Sequence, residues 1–181
     1  MPLATLVVIC GLSYAGKSTL ARAITNRFGY EEIDVDDVGA TLYGLNVQGR
    51  PIEELDFDRI YDEADRLIEA RLSSGTTVVD ASRNFRRVER DHAREIAERS
   101  GARVVTIFVD TPEEIARQRR LGNRTSKARR DITDEEFEEI VRVMQPPAED
   151  ERPLVFHHGD DIEAWLREFK SFMTRGQPSR Q

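Results

Sequence analysis

Gly11-Leu12-Ser13-Tyr14-Ala15-Gly16-Lys17-Ser18 fits the pattern G-x-x-x-x-G-K-[ST], and each fixed residue type has a chemical reason. Glycines at 11 and 16 let the backbone wrap a phosphate, because they adopt conformations that a side chain forbids. The loop N–H groups and the start of the next helix then face the anion. Lys17 reaches the β- and γ-phosphates of ATP, and the Ser18 hydroxyl ligates Mg²⁺. Ser13, Tyr14 and Ala15 complete the cradle, and Thr19 follows it on the helix. The context agrees: a Val/Ile run from Thr5 to Cys10 precedes the loop, and Leu20, Ala23, Ile24 and Phe28 follow at helical spacing.

Carboxylates at two further places suit the same chemistry. Asp34-Val35-Asp36-Asp37 closes a second apolar run. Read as a strand end, alternation puts Asp34 and Asp36 on one face at the carboxyl edge, where open α/β sheets bind ligands. There Asp36 can take the proton from a hydroxyl that attacks the γ-phosphate, and it can help hold Mg²⁺. Asp37 fits better as the cap of a short helix beginning near Val38, and Asp34 fits either role. Thr76-Thr77-Val78-Val79-Asp80 is another buried run ending in an acid, which places Asp80 beside the Mg²⁺ shell. Ala81 follows it, where ATP-hydrolysing motors often carry a water-activating glutamate; this favours transfer to a bound acceptor.

The net charge of −7 is unevenly spread. Arg117 to Arg130 holds seven basic residues and no acid. That segment reads either as a solvated helix face or as a site for an anionic partner. Arginine suits the second role, because it stays charged and offers forked donors to phosphate oxygens. Arg50, Arg83, Arg86 and Arg87 are candidate acceptor contacts, each also readable as a plain surface charge.

The scaffold for these residues is an alternation of short apolar runs and helical patterns, which points to a parallel α/β sheet. Strands are expected at Thr5 to Cys10, Glu31 to Val35, Thr76 to Val79, Arg103 to Val109 and Leu154 to Phe156. Phe57, Ile60, Tyr61, Ala64, Leu67, Ile68 and Leu72 mark one helix; Phe137, Ile140, Val141 and Met144 mark another. Thr111 with Glu114, and Thr133 with Glu136, offer capping boxes. Asp160 or Asp161 caps a last helix that places Trp165 in the core. With 181 residues, the chain suits one domain over 1–173, followed by a disordered tail over 174–181. No apolar run approaches the roughly 20 residues of a membrane span, and the apolar start reads as a buried strand, not a signal peptide. The single cysteine, Cys10, suits a small buried residue in a reducing cytoplasm.

The order of these features resembles the small P-loop kinases related to polynucleotide 5′-hydroxyl kinase, zeta toxin and chloramphenicol phosphotransferase, which often carry the label AAA family ATPase. The resemblance covers about Leu6 to Phe169. Its specific part is Val78-Val79-Asp80-Ala81, then Asn84-Phe85-Arg86-Arg87 and Arg90, then Gly101-Ala102, then Val109-Asp110-Thr111-Pro112. It implies a three-layer α/β/α P-loop fold with strand order 2-3-1-4-5. It implies Asp36 as general base, Asp80 as the second active-site aspartate and Arg124 as a lid arginine, with Arg120 four residues before it and a lid over about 117–131. Ser82 and Arg83 stand where the family has one residue. Gly39 stands where the polynucleotide kinases carry the arginine that grips a 3′-phosphate. The pair Asp34-x-Asp36 is similar to that of shikimate kinase, but Asp80-Ala81-Ser82 replaces that family's triple glycine. His157 and His158 follow the fifth strand, near where an adenine ring often rests. The expected activity is phosphoryl transfer from Mg·ATP to a hydroxyl of a small molecule or a nucleic-acid end, held between Asp36, the helix from Phe57 and the loop from Gly44 to Pro51. The alternative is an ATP-dependent binding switch without a phosphorylated acceptor.

Overall fold

Every residue of Thr5–Cys10 is buried, and this segment is the central strand, β1, of a five-stranded sheet. The computed structural model of the protein describes residues 3–44, 56–126 and 132–175. Beside β1 lie β2 (Glu31–Glu32), β3 (Val78–Asp80), β4 (Arg103–Asp110) and β5 (Leu154–His157), in the order β2-β3-β1-β4-β5. All pairings are parallel, with Val7 opposite Val79 on one side and Val105 on the other. The helices are α1 (Lys17–Phe28), α2 (Val35–Tyr43), α3 (Phe57–Ser73), α4 (Arg87–Arg99), α5 (Glu113–Ser126), α6 (Asp134–Val143) and α7 (Ile162–Arg175).

Alternation along β1 feeds two cores, because successive side chains leave opposite faces of a strand. Leu6 and Val8 pack with Val38, Ile60, Ile68 and Ile96 of α2, α3 and α4. Val7 and Ile9 pack with Leu20, Ile24 and Phe169 of α1 and α7. Both faces are thus covered, which explains the unbroken Val/Ile run. Trp165 belongs to the second core: it stacks on Phe169 with centroids 5.3 Å apart, and its indole N–H donates to the Val155 carbonyl at 2.8 Å. Cys10 is buried as expected. Burial pushes its thiol up to about 12, so it stays protonated and inert. A smaller cluster of Tyr14, Ala116 and Phe137 joins the phosphate loop to α5 and α6.

Several expectations need correction. β2 ends at Glu32, two residues short of the acidic string, because the Asp34 carboxylate accepts the Asp36 N–H at 2.8 Å and starts α2. Asp34 and Asp36 are therefore cap and first-turn residue of a helix, not strand neighbours, and Asp34 caps in place of Asp37. The Thr111 hydroxyl donates to the Ala15 carbonyl at 2.8 Å, so it braces the phosphate loop. The Thr133–Glu136 box forms as expected. Asp161 caps α7 by accepting the Ala164 N–H at 2.7 Å. α7 runs on to Arg175, which takes Thr174 and Arg175 out of the expected tail; 176–181 lie outside the described residues. α4 carries little apolar periodicity in the sequence, because charges dominate it and only Arg90, Ala93, Ile96 and Ala97 are buried.

Candidate active site

The phosphate loop leaves β1 through Gly11 at φ 141°, where a Cβ would come within 2.7 Å of the Val109 carbonyl oxygen. Only glycine permits this approach to β4. The loop ends at Gly16, the N-cap of α1, at φ 114°. No side chain caps α1 and no acid stands in its first turn, so its N–H groups remain available to an anion. Lys17 is buried, and its Nζ donates to the Gly11 and Leu12 carbonyls at 3.0 Å each, bridging the loop. The same ammonium lies 4.9 Å from the centroid of the Phe85 ring. Tyr14 holds the loop's outer side at φ 64°, buried against α5 and α6.

Two cavities flank this loop. The first, about 560 Å³, lies towards α5 and the β5–α7 turn, and Thr19, Arg119, Asn123, Phe156 and His158 line it with the loop. Arg119 donates to the Ala15 carbonyl at 2.8 Å, with Nη2 3.4 Å from His158 Nδ1. Arg119 went unrecognised as a site residue, although Arg119, Gly122, Asn123 and Ser126 share one helical stripe along the cavity. His157 points elsewhere and pairs with Asp110 at 3.1 Å.

The second cavity, about 690 Å³, brings Ser13, Lys17 and Ser18 together with Asp34 and Asp36. Phe57 and Tyr61 of α3, Phe85, and a row of glutamates on α6 complete it. Asp36 is exposed to this space. Burial, then the neighbouring Asp36, Asp37 and Asp80 carboxylates, push the Asp34 carboxyl above its ordinary value against the lowering effect of the Asp36 N–H.

Asp80 is nearly sealed from solvent, at 2% exposure, and does not line the cavity. It accepts from Ser82 N–H at 3.2 Å, Ser82 Oγ at 3.0 Å and Asn84 Nδ2 at 3.2 Å, so it shapes the turn that presents Ser82 and Phe85. Arg90, on α4, fastens that turn from behind. Its guanidinium forks onto Glu151 at 2.7 and 2.9 Å and also donates to the Asn84 and Phe85 carbonyls. Burial alone would raise the Glu151 carboxyl, but the Arg90 fork and the Ala148 N–H hold it below the ordinary glutamate value.

Arg120 and Arg124 line neither cavity. Arg120 is 4% exposed, which rules out a solvated face for it. Its Nε donates to the Ile132 carbonyl at 3.2 Å, and Nη2 lies 2.6 Å from the Asp134 carboxylate but off the N–H direction, an ion pair without an aligned hydrogen bond. Arg124 donates to the same carboxylate at 2.9 Å. Arg117 pairs with Glu113 and Glu138. In this arrangement the segment clamps α5 to α6 around Phe137. Arg83 pairs with Asp65 and lies over the ring of Tyr61, 5.1 Å from its centroid, Arg86 pairs with Glu89 and Arg87 with Asp91 and Asp150; none of the three lines either cavity. Arg50, Lys127, Arg129, Arg130 and the loop over 45–51 lie outside the described residues.

The donors in the second cavity fit Mg²⁺: a hydroxyl at Ser18 and a carboxylate at Asp36 are hard oxygens beside a phosphate cradle, and this cation takes few protein ligands besides phosphate oxygens. Among the described residues no group of three His, Cys, Asp or Glu forms a metal site of its own, and no helix is long and apolar enough to cross a membrane.

The sequence matches the AAA_33 family, described as an AAA domain, over residues 6–147. Adenylyl-sulfate kinase of Saccharomyces cerevisiae is 30% identical over 145 residues, spanning 77% of this chain and 69% of the yeast protein. APS kinase CysC of Mycobacterium tuberculosis, solved with AMPPNP and APS, superposes with a TM-score of 0.71 at 21% identity over 96% of this chain and 99% of that one. A gluconokinase from Sinorhizobium meliloti 1021 superposes with a TM-score of 0.63 at 22% identity over 97% and 94%. The two structural likenesses speak for the fold, and the family match covers the phosphate loop, Asp34 and Asp36 at the start of α2, and Asp80 at the end of β3. The chain belongs to the AAA_33 family and is an ATP-dependent P-loop kinase.

Proposed function

We propose that the protein moves the γ-phosphate of ATP to a hydroxyl group of a small molecule held in the second cavity, between α2, α3 and α6. The observation that carries this reading is the meeting of two separate cavities at one phosphate loop: one for the nucleoside end of ATP, one for an acceptor beside Lys17 and Asp36. A binding switch needs the first cavity but has no use for the second.

In this reading the Asp36 carboxylate takes the acceptor's hydroxyl proton. The oxygen bonds to the γ-phosphorus, the bond from that phosphorus to the bridging oxygen of ADP breaks, and ADP departs. Lys17 and the α1 N-terminus hold the phosphate oxygens while their charge is redistributed. Ser18 and Asp36 would hold Mg²⁺, which would supply further neutralisation of phosphate charge, while Asp80 shapes the neighbouring turn. Arg119 braces the loop and faces the nucleotide. Arg120 and Arg124 reach the phosphoryl group by exchanging Asp134 for phosphate oxygens when α5 and α6 shift, as catalytic lids do. Gly39 is buried inside α2, so no side chain there grips a nucleic-acid phosphate, which favours a small acceptor. The buried, protonated Cys10 suits a reducing, cytoplasmic setting.

The test is transfer from γ-labelled ATP to a panel of hydroxyl compounds, run with wild type and Lys17→Ala. Labelled product from wild type, lost in the variant together with tight ATP binding, is the expected outcome. Slow phosphate release without labelled product would sink the kinase reading in favour of the switch.

A further inference from the structure

We infer that Phe85 decides between acceptor and water: its ring covers the Lys17 end of the acceptor cavity and keeps water from the γ-phosphate until an acceptor hydroxyl enters. This rests on the kinase reading above and adds the residue that suppresses hydrolysis in its site.

The acceptor cavity makes such a residue necessary. It holds about 690 Å³, and Asp36 is exposed to it. A base able to take an acceptor's proton can equally serve water. The water oxygen would bond to the γ-phosphorus, and the bond to the bridging oxygen of ADP would break. Asp36 would take one proton, and the other would leave on the phosphate. Ala81 in place of a glutamate removes a second base but leaves Asp36. Water must therefore be excluded by what packs beside the phosphoryl group.

Phe85 stands in that place. It lines the cavity with Lys17, and its ring centroid lies 4.9 Å from the Lys17 ammonium. That ammonium belongs to the phosphate cradle and serves the β- and γ-phosphates, so the ring lies beside the group in transfer. An aromatic face attracts an ammonium, and a phenyl side chain has no polar group with which to hold water.

The backbone of Phe85 is held from several elements, although its ring joins no core. Its carbonyl accepts the Gln145 N–H from the end of α6 at 2.8 Å and Arg90 Nη1 from α4 at 3.4 Å. The preceding Asn84 is 1% exposed, and its Nδ2 donates to Asp80 at the end of β3. Asn84 stands at φ 82°, and asparagine is among the few side chains found at positive φ. The Arg87 N–H donates to the Gln145 side-chain oxygen at 2.8 Å. Yet Phe85 is half-buried and, among the described residues, belongs to none of the three apolar clusters. A turn fastened to β3, α4 and α6 thus presents an aromatic ring to the cradle lysine and not to a core.

The experiment measures phosphate release from Mg·ATP without any acceptor, for wild type, Phe85→Leu and Phe85→Ala, with ADP affinity by equilibrium titration and thermal unfolding alongside. Release should rise in the order Phe, Leu, Ala, by about tenfold in Phe85→Ala, while ADP affinity stays near wild type. A merely structural ring would lower the unfolding temperature without raising release. If Phe85→Ala does not fold, the step from Phe to Leu decides in the same sense. Unchanged or slower release in the folded variants, or a loss of ADP affinity in place of faster release, overturns the inference and leaves the kinase reading standing. No labelled product from wild type with any hydroxyl compound of the panel above overturns both.

Discussion

Asp34 and Asp36 are two residues apart and take different roles from one local geometry. Asp34 ends β2 by capping α2, which turns Asp36 outward into the acceptor cavity. Asp36→Asn keeps the size and removes the basicity, so phosphoryl transfer should fall by about 10² or more while ATP binding survives; rapid-quench transfer and equilibrium titration separate the two. Asp34→Asn keeps the cap and removes a half-buried charge set among other carboxylates. Because the folded pKa of Asp34 is raised, its favourable contribution is complete below the unfolded value and is lost as pH rises through the folded one. Thermal melts should therefore show a gain for Asp34→Asn that is absent at low pH and grows towards neutrality. Asp34→Ala lacks an acceptor for the Asp36 N–H and should fall about 1 kcal/mol below Asp34→Asn.

α5 and α6 form a unit outside the sheet. Phe137 is fully buried between them, with Arg117 and Arg120 guanidinium carbons 5.1 and 5.5 Å from its ring centroid. The same arginines serve two assignments that kinetics can separate. If Arg120 and Arg124 exchange Asp134 for the phosphoryl group, Arg120→Ala with Arg124→Ala should lower kcat by about 10² or more, with a smaller rise in the KM for ATP. Arg119→Ala, at the loop and the nucleotide cavity, should raise the KM for ATP instead. Normal steady-state kinetics in the double variant would confine Arg120 and Arg124 to holding the two helices together. The basic cluster was visible in the sequence; its partners were not. Arg120 and Arg124 meet Asp134 ten or more positions along the chain, and a one-dimensional charge run does not say which charges lie opposite it.

Across the whole molecule, the sheet and the site are tied by one buried ion pair. Arg90 and Glu151 are 1% and 0% exposed, and Arg90 also holds the two carbonyls of the turn after β3. Arg90→Met would leave the Glu151 carboxylate buried and unpaired, which typically destabilises by about 3–5 kcal/mol. Denaturant unfolding should register that loss, and Glu151→Gln added to Arg90→Met should recover part of it. The wild-type pair depends on pH in the opposite sense from Asp34. The Glu151 pKa is depressed, so its contribution is present above the unfolded glutamate value and is lost as pH falls through the folded one.

Local chemistry and periodicity were legible from the sequence alone. Gly11, Gly16, Lys17 and Ser18 stand at a fixed spacing that a phosphate imposes, and Val/Ile runs without alternation imply strands covered on both faces; both constraints act within a few residues. The sheet order came by resemblance, and the pairings of β1 with β3 and β4 agree with it. Tertiary structure decided the rest. The end of β2 depended on which aspartate capped α2, a choice between neighbours with the same side chain. The position of Asp80 depended on a turn that carries one residue more than the family run and is held by Arg90 from another helix. The acidity of the acceptor cavity depended on bringing α6 opposite α2, about a hundred residues apart in the chain. No local pattern records that meeting, because burial of Phe137 against Tyr14 and Ala116 places α6, and the glutamates are carried with it.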